Sequence, residues 1–211
     1  MEPNNAQMDI ATLEKTYDRY SSFYDALFGT FFSPGRAAVV QGLHLEDDAH
    51  ILEIGIGTGA SLELYPEQTR ITGVDLSEDM LNLSERRAHQ TGREVDLRLM
   101  NAEHLDFPDN SFSHVVAMYV VSVSPDPAAI VREMARVCKP GGELVILNHF
   151  SEEDSLIGRL ERILAPLSSR LGFKPYFPLN DFTEQCRPFS FDERSKTNLL
   201  GYWSILKGRK R

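Results

Sequence analysis

From residue 50 onward, hydrophobic positions fall into short runs separated by longer amphipathic stretches. The runs His50–Ile54, Arg70–Val74, Val95–Met100, His114–Val120 and Glu143–Leu147 are rich in Val, Ile and Leu and have strand length. Between them, Gly59–Leu64, Ser77–Thr91 and Pro127–Cys138 carry apolar residues at helical spacing. Nearly continuous apolar strands must be covered on both faces, so this alternation predicts an α/β fold with a mostly parallel sheet between two helical layers. Two more β-like stretches, Arg187–Lys196 and Gly201–Lys207, flank Asn198 and predict an antiparallel hairpin at the sheet edge. With it the sheet has seven strands. Upstream, Leu13, Tyr17, Tyr20, Tyr24, Leu27, Phe28 and Phe31 recur at helical intervals. The turn signal Ser33-Pro34-Gly35 predicts two helices over residues 8–41 with a break between them.

A length of 211 residues suits a single domain. Within it we expect a helical cap (8–41), a cofactor-binding core (50–147), an amphipathic insertion (151–180) and the edge hairpin (187–207). The longest apolar run, Val115–Val121, has seven residues, against the roughly 20 that a membrane-spanning helix needs. The polar, acidic start has no signal-peptide character, and two cysteines, Cys138 and Cys186, make neither a disulfide framework nor a metal set. A cytoplasmic location is expected, with no metal. The net charge of −9 argues against a nucleic-acid partner but hides a gradient. Residues 1–150 hold 11 Lys/Arg against 23 Asp/Glu, whereas residues 151–211 hold 11 against 8.

The segment Ile51-Leu52-Glu53-Ile54-Gly55-Ile56-Gly57-Thr58-Gly59-Ala60 follows a predicted strand and opens a helix. Its glycines permit a tight turn and let backbone N–H groups approach a ligand. Asp75 ends the second strand, where a carboxylate can accept hydrogen bonds from both hydroxyls of a ribose. Two cofactors fit this pattern. Gly55-x-Gly57-x-x-Ala60 satisfies a nicotinamide fingerprint. Glu53 at the strand end, however, repels a pyrophosphate and suits the cationic groups of S-adenosylmethionine.

Together with Asp75-Leu76-Ser77, Asn101-Ala102-Glu103-His104-Leu105 and Lys139-Pro140-Gly141-Gly142, this segment resembles the class I S-adenosylmethionine-dependent methyltransferases over residues 50–147. The resemblance implies a Rossmann-like fold that binds S-adenosylmethionine and releases S-adenosylhomocysteine. It implies that Glu53 and the loop Gly55, Gly57, Thr58 and Gly59 hold the methionine part, with Tyr17 over its carboxylate end. Asp75 would hold the ribose, Leu76 and Met80 the adenine, and Asn101, Ala102 and Glu103 the adenine edge. Family members often carry Asp where this chain has Asn101, a mild departure because an amide oxygen can serve there. Met118 and Tyr119 would line the pocket beneath the transferred methyl, although Met118–Val121 can also be read as core strand.

The acceptor must be read from the surroundings. Tyr17, Tyr20 and Tyr24 share one helical face, which either joins the core or caps the cleft over a cationic nitrogen. Residues 155–174 join Leu156, Ile157, Leu160, Ile163, Leu164, Leu167 and Leu171 to Arg159, Arg162, Arg170 and Lys174, with Glu161 the single acid. Such a basic amphipathic segment either lies on anionic lipid or packs on the domain. His149, after the fifth strand, is a candidate for a phosphate or a proton, or a satisfied histidine.

With Tyr17–Phe28, Leu52–Ser61, Tyr119–Pro127, Leu147–Phe150 and Gly201-Tyr202-Trp203-Ser204-Ile205-Leu206, the chain is similar to the Rhodobacter-type phosphatidylethanolamine N-methyltransferases along nearly its whole length. That similarity implies successive methylation of a phospholipid amine by a cytoplasmic protein visiting the inner face of the cell membrane. Tyr24, Tyr119 and His149 are its expected headgroup contacts. Quinone-biosynthesis C-methyltransferases are the second resemblance, and a membrane-associated cofactor-binding protein without turnover is the non-enzymatic alternative. Oligomeric state has no signature in the sequence.

Overall fold

The predicted runs become β1 (His50–Ile54), β2 (Arg70–Asp75), β3 (Val95–Leu99), β4 (Phe112–Met118) and β5 (Cys138–His149), followed by the tail strands β6 (Glu193–Thr197) and β7 (Trp203–Arg209). The helices are α1 (residues 32–41), α2 (Glu78–Thr91), α3 (Pro127–Val137), α4 (Leu156–Leu164) and α5 (Leu179–Gln185). These elements come from a computed structural model that describes residues 32–152, 156–165, 174–187, 189–197 and 201–211. Tyr17 and Tyr24, with the rest of the tyrosine-bearing segment, lie outside the described residues, as does Asn198.

The strands pair in the order β3-β2-β1-β4-β5-β7-β6. The first five are mutually parallel, β7 runs antiparallel to β5, and β6 closes the edge antiparallel to β7. Side-chain alternation divides the core between the two faces. Val115, Ala117, Leu144 and Ile146 pack with Ile130, Val131 and Met134 of α3. Val116, Met118, Val145 and Leu147 join Val39 and Val40 of α1, Leu81 of α2 and Trp203. Helix starts follow local chemistry. Ser77 accepts the Met80 N–H at 3.3 Å to cap α2, and Asp126 accepts the Ala129 N–H at 3.0 Å, with Pro127 entering α3.

Several boundaries differ from the sequence expectation. α1 includes Ser33, Pro34 and Gly35, so the expected break is absent there. The helix expected at Gly59–Leu64 shrinks to a 3-10 turn at Leu62–Leu64, because Gly59 turns the chain at φ 72°. β4 stops at Met118, since Tyr119 takes φ 65°. β5 begins at Cys138, ahead of Glu143, because the Gly141 N–H donates to the Lys210 carbonyl at 2.8 Å and the Lys210 N–H to the Gly142 carbonyl at 3.0 Å. The tail strand β6 is shorter than Arg187–Lys196, and Phe189 and Phe191 pack against the core instead.

Candidate active site

The loops at the carboxyl ends of β1, β2, β4 and β5 gather on one edge of the parallel sheet, where open α/β sheets hold ligands. After β1, Gly55, Gly57 and Gly59 all take left-handed backbone at φ 67°, 56° and 72°. Their surroundings separate their roles. A Cβ at Gly55 would collide with the Val120 side chain, and one at Gly59 would meet Ser84 Oγ at 2.6 Å. A Cβ at Gly57 would meet nothing closer than the Gly55 carbonyl at 4.0 Å, so this glycine fronts open space. Thr58, 7% exposed, completes the turn, with the Arg87 guanidinium 3.5 Å from its hydroxyl.

Asp75 holds this loop from the end of β2. Its carboxylate accepts the Gly57 N–H at 2.8 Å and the Ser77 N–H at 3.0 Å. Burial pushes its carboxyl up, opposed by the N–H groups of Ser77, Gly57 and Leu76. A carboxylate with these two bonds keeps lone pairs for ligand hydroxyls. Leu76 is half-buried and Met80 buried beside it.

Glu53, 3% exposed, accepts hydrogen bonds from Ser61 Oγ at 2.7 Å and Tyr65 Oη at 2.8 Å. Burial raises its carboxyl; the two hydroxyls and the charge of Arg36 pull it back. Glu53 therefore anchors the turn behind the glycine loop. Asn101 Oδ1 accepts the Glu103 N–H at 2.9 Å, while Glu103 Oε1 accepts Ser124 Oγ at 2.7 Å and the Asp126 N–H at 3.1 Å. Glu103, braced by Asn101, thus ties the loop after β3 to the one after β4, and Ala102 between them packs against the core.

An aromatic wall stands across β4, β5 and β7. Tyr119, in the left-handed region, donates its backbone N–H to Leu147 O at 2.6 Å and its hydroxyl to Phe32 O at 3.0 Å. Such backbone costs a non-glycine residue on the order of 1–2 kcal/mol, offset here by those bonds and by ring contacts. The Tyr119 ring lies 4.5 Å from Phe32 and 4.8 Å from Trp203. Met118, immediately before it, is buried in the sheet. His149, 3% exposed, stacks on Tyr202 at 5.8 Å and meets Trp203 edge-on at 5.6 Å. Its Nε2 lies 3.0 Å from the Lys174 carbonyl, and burial pushes its pKa down, so the neutral ring donates there. His149 consequently lies beneath the segment at Lys174, inside the aromatic cluster.

Periodicity gave no signal for Arg36. Its guanidinium lies 5.3 Å from the Tyr119 ring centre, and its buried Nη1 has no hydrogen-bond partner among the described residues. Trp203 and Tyr202 also join the wall through β7; only an aromatic pair at a strand start marked them. Glycine-loop space, the Asp75 carboxylate and the unsatisfied Arg36 nitrogen together suit a ligand with a ribose and a zwitterionic amino acid end.

Residues 52–146 match the model of a methyltransferase domain family. The chain is 35% identical to the phosphatidylethanolamine N-methyltransferase of Cereibacter sphaeroides over 97% of its own length and 100% of that protein. It is 30% identical to the demethylmenaquinone methyltransferase of Lactiplantibacillus plantarum, over 89% of this chain and 82% of that one. Among solved structures, a Haemonchus contortus methyltransferase in complex with phosphomonomethylethanolamine and S-adenosylhomocysteine superposes with TM-score 0.73 at 18% identity, covering 94% of this chain and 59% of that one. A Haloferax volcanii methyltransferase, solved with its Trm112 activator, superposes with TM-score 0.75 at 15% identity over 92% and 97%. These two similarities speak to fold.

Proposed function

We propose that this chain, which belongs to the class I S-adenosylmethionine-dependent methyltransferases, methylates the amine of phosphatidylethanolamine at a membrane surface, in successive steps towards phosphatidylcholine. Full-length similarity to a phosphatidylethanolamine N-methyltransferase carries this reading. When bound, the cofactor would supply a sulfonium methyl open to in-line attack by the amine nitrogen, the N–C bond forming as the S–C bond breaks and S-adenosylhomocysteine leaves.

The chain's own residues bind, orient and exclude water. In this reading Glu53, Gly55, Gly57, Thr58 and Gly59, with Tyr17, hold the methionine end. Asp75 takes the ribose. Leu76, Met80, Asn101, Ala102 and Glu103 bound the adenine, and Met118 closes the floor. Tyr24, Tyr119 and His149 meet the headgroup, His149 by way of its ring within the aromatic cluster. A primary amine with a pKa near that of Lys, about 10.4, is neutral in only about one molecule in a few thousand at pH 7. The site therefore needs to desolvate the ammonium, pass its proton to water or a weak acceptor, and align the lone pair. Aromatic faces hold an ammonium however many methyls it carries, which suits repeated transfer.

A membrane-surface role is supported by α4. Leu160 and Ile163 are 57% and 72% exposed, and Arg159 and Arg162 are exposed beside them. Among the described residues no helix is long and apolar enough to cross a bilayer. A second reading, C-methylation of a quinone precursor, draws on the demethylmenaquinone methyltransferase relatives. Radiolabelled methyl transfer separates the two. Vesicles containing phosphatidylethanolamine and a demethylated quinone are offered together, and label is expected in the phospholipid. Label confined to the quinone overturns the proposal.

A further inference from the structure

Glu161 sits on α4, the helix that turns Leu160 and Ile163 outward, yet it is only 6% exposed. The hydroxyl of Tyr202 donates to its Oε1 at 2.7 Å. Its Oε2 is buried and has no hydrogen-bond partner among the described residues. Other buried acids of the fold are provided for. Glu143 has Lys207 at 3.0 Å and Arg209 at 2.7 Å, and Glu53 has two hydroxyl donors. No Lys or Arg among the described residues forms an ion pair with Glu161. Among the described residues this buried carboxylate has no cation, a state that lowers stability and that an incoming cation would relieve.

The neighbouring groups describe that cation. Tyr202, whose hydroxyl holds Glu161, stacks parallel to His149 with an interplanar angle of 4°. Trp203 stands edge-on to Tyr202 at 5.5 Å and lies 4.8 Å from Tyr119, the residue at the mouth of β4. The Trp203 Nε1 is likewise buried with no acceptor among the described residues. A carboxylate held by Tyr202, whose ring packs with His149 and Trp203, suits an alkylammonium: N–H groups would reach the oxygen and methyl groups the rings. An indole N–H without an acceptor suits an oxygen of the same headgroup.

We propose that Glu161 is the recognition carboxylate for the acceptor, taking the ammonium of the ethanolamine headgroup against Tyr202 and Trp203. This rests on the reading that the acceptor is a phospholipid amine. It assigns α4 two roles on opposite faces: leucine and isoleucine towards lipid, and a single acid towards the headgroup drawn from it. The remaining contact, between Glu161 and Tyr202, makes β7 the support that orients the carboxylate.

The test uses the full chain loaded with S-adenosylhomocysteine and two short-chain lipids, dihexanoyl-phosphatidylethanolamine and dihexanoyl-phosphatidylglycerol, titrated calorimetrically. Glu161→Gln keeps the volume and an acceptor for Tyr202 but removes the charge. We expect it to weaken the ethanolamine lipid by at least about tenfold, the scale of one charged hydrogen bond, and to leave the glycerol lipid and the cofactor product unchanged. The unliganded variant melts no lower than wild type, since an unpaired buried charge has gone. Tyr202→Phe, which keeps the charge, retains more of the selectivity than Glu161→Gln. Equal binding of the ethanolamine lipid by wild type and Glu161→Gln overturns the proposal while the acceptor reading stands. An equal loss for both lipids, or an unfolded variant, marks Glu161 as structural and also overturns it. A wild type that binds neither lipid yet methylates a quinone precursor removes the acceptor reading, and the proposal with it.

Discussion

Gly57 combines left-handed backbone with open space, whereas Gly55 and Gly59 combine it with close packing. Alanine should therefore act differently at these positions. Gly57→Ala is expected to cost on the order of 1–2 kcal/mol of backbone strain in urea denaturation, while cofactor affinity falls more steeply. Gly55→Ala adds a collision with Val120 and should lose more stability than Gly57→Ala in the same measurement. Asp75→Ala removes a charged acceptor from the position proposed for the ribose and a tie to Gly57. Calorimetric affinity for S-adenosylmethionine should drop by about 10- to 100-fold, the range of hydrogen bonds to charged groups. At the opposite ends of the strands, burial pushes His50 down to about 4, with the charges of Arg70 and Lys139 adding to the effect. The folded ring stays neutral while the unfolded ring takes a proton near 6.5, so the unfolded state binds more protons below that pH. This contribution to stability is full above pH 6.5 and is lost as pH falls towards 4. The melting temperature should fall through that window, and by less in His50→Gln.

α4 inverts the usual relation between polarity and burial, which its sequence does not reveal. The spacing of Leu160, Ile163 and Leu164 fixes a helix and a stripe but not which way the stripe points. The structure turns Leu160 and Ile163 outward and Glu161 inward. Strands were more legible, because Ile51–Ile54 and Leu144–Leu147 are buried on both faces and, Glu53 apart, apolar. Their ends were less legible. Tyr119 stops β4 through a backbone state that tertiary bonds to Leu147 and Phe32 sustain, and no local pattern announces it. If the α4 stripe meets lipid, Leu160→Asp with Ile163→Asp should abolish flotation with phosphatidylglycerol-containing vesicles. Because both side chains are exposed, the variant should stay within about 0.5 kcal/mol of wild-type stability. Unchanged flotation by a folded variant contradicts the membrane role.

Over the whole molecule, the strand–helix alternation, the glycine loop and the carboxylate at the end of β2 were legible because each follows from short-range chemistry, whereas the strand order came only with the fold. Arg36, Tyr202, Trp203 and Glu161 were not legible, since α1, α4 and β7 are distant in sequence and meet only through the fold. The charge gradient acquires a structural sense here. The acidic first 150 residues carry the cofactor loops, and the basic remainder carries α4 and the strands behind the aromatic wall. That division would suit the proposed transfer of a phospholipid acceptor from an anionic surface. The most direct measurement is the lipid composition of a bacterial host that makes phosphatidylethanolamine but no phosphatidylcholine, once it expresses this chain. Monomethylated and dimethylated phosphatidylethanolamine and phosphatidylcholine are expected, all absent with Asp75→Ala. Unmethylated phosphatidylethanolamine alone, with the protein folded and abundant, would contradict the proposed methylation.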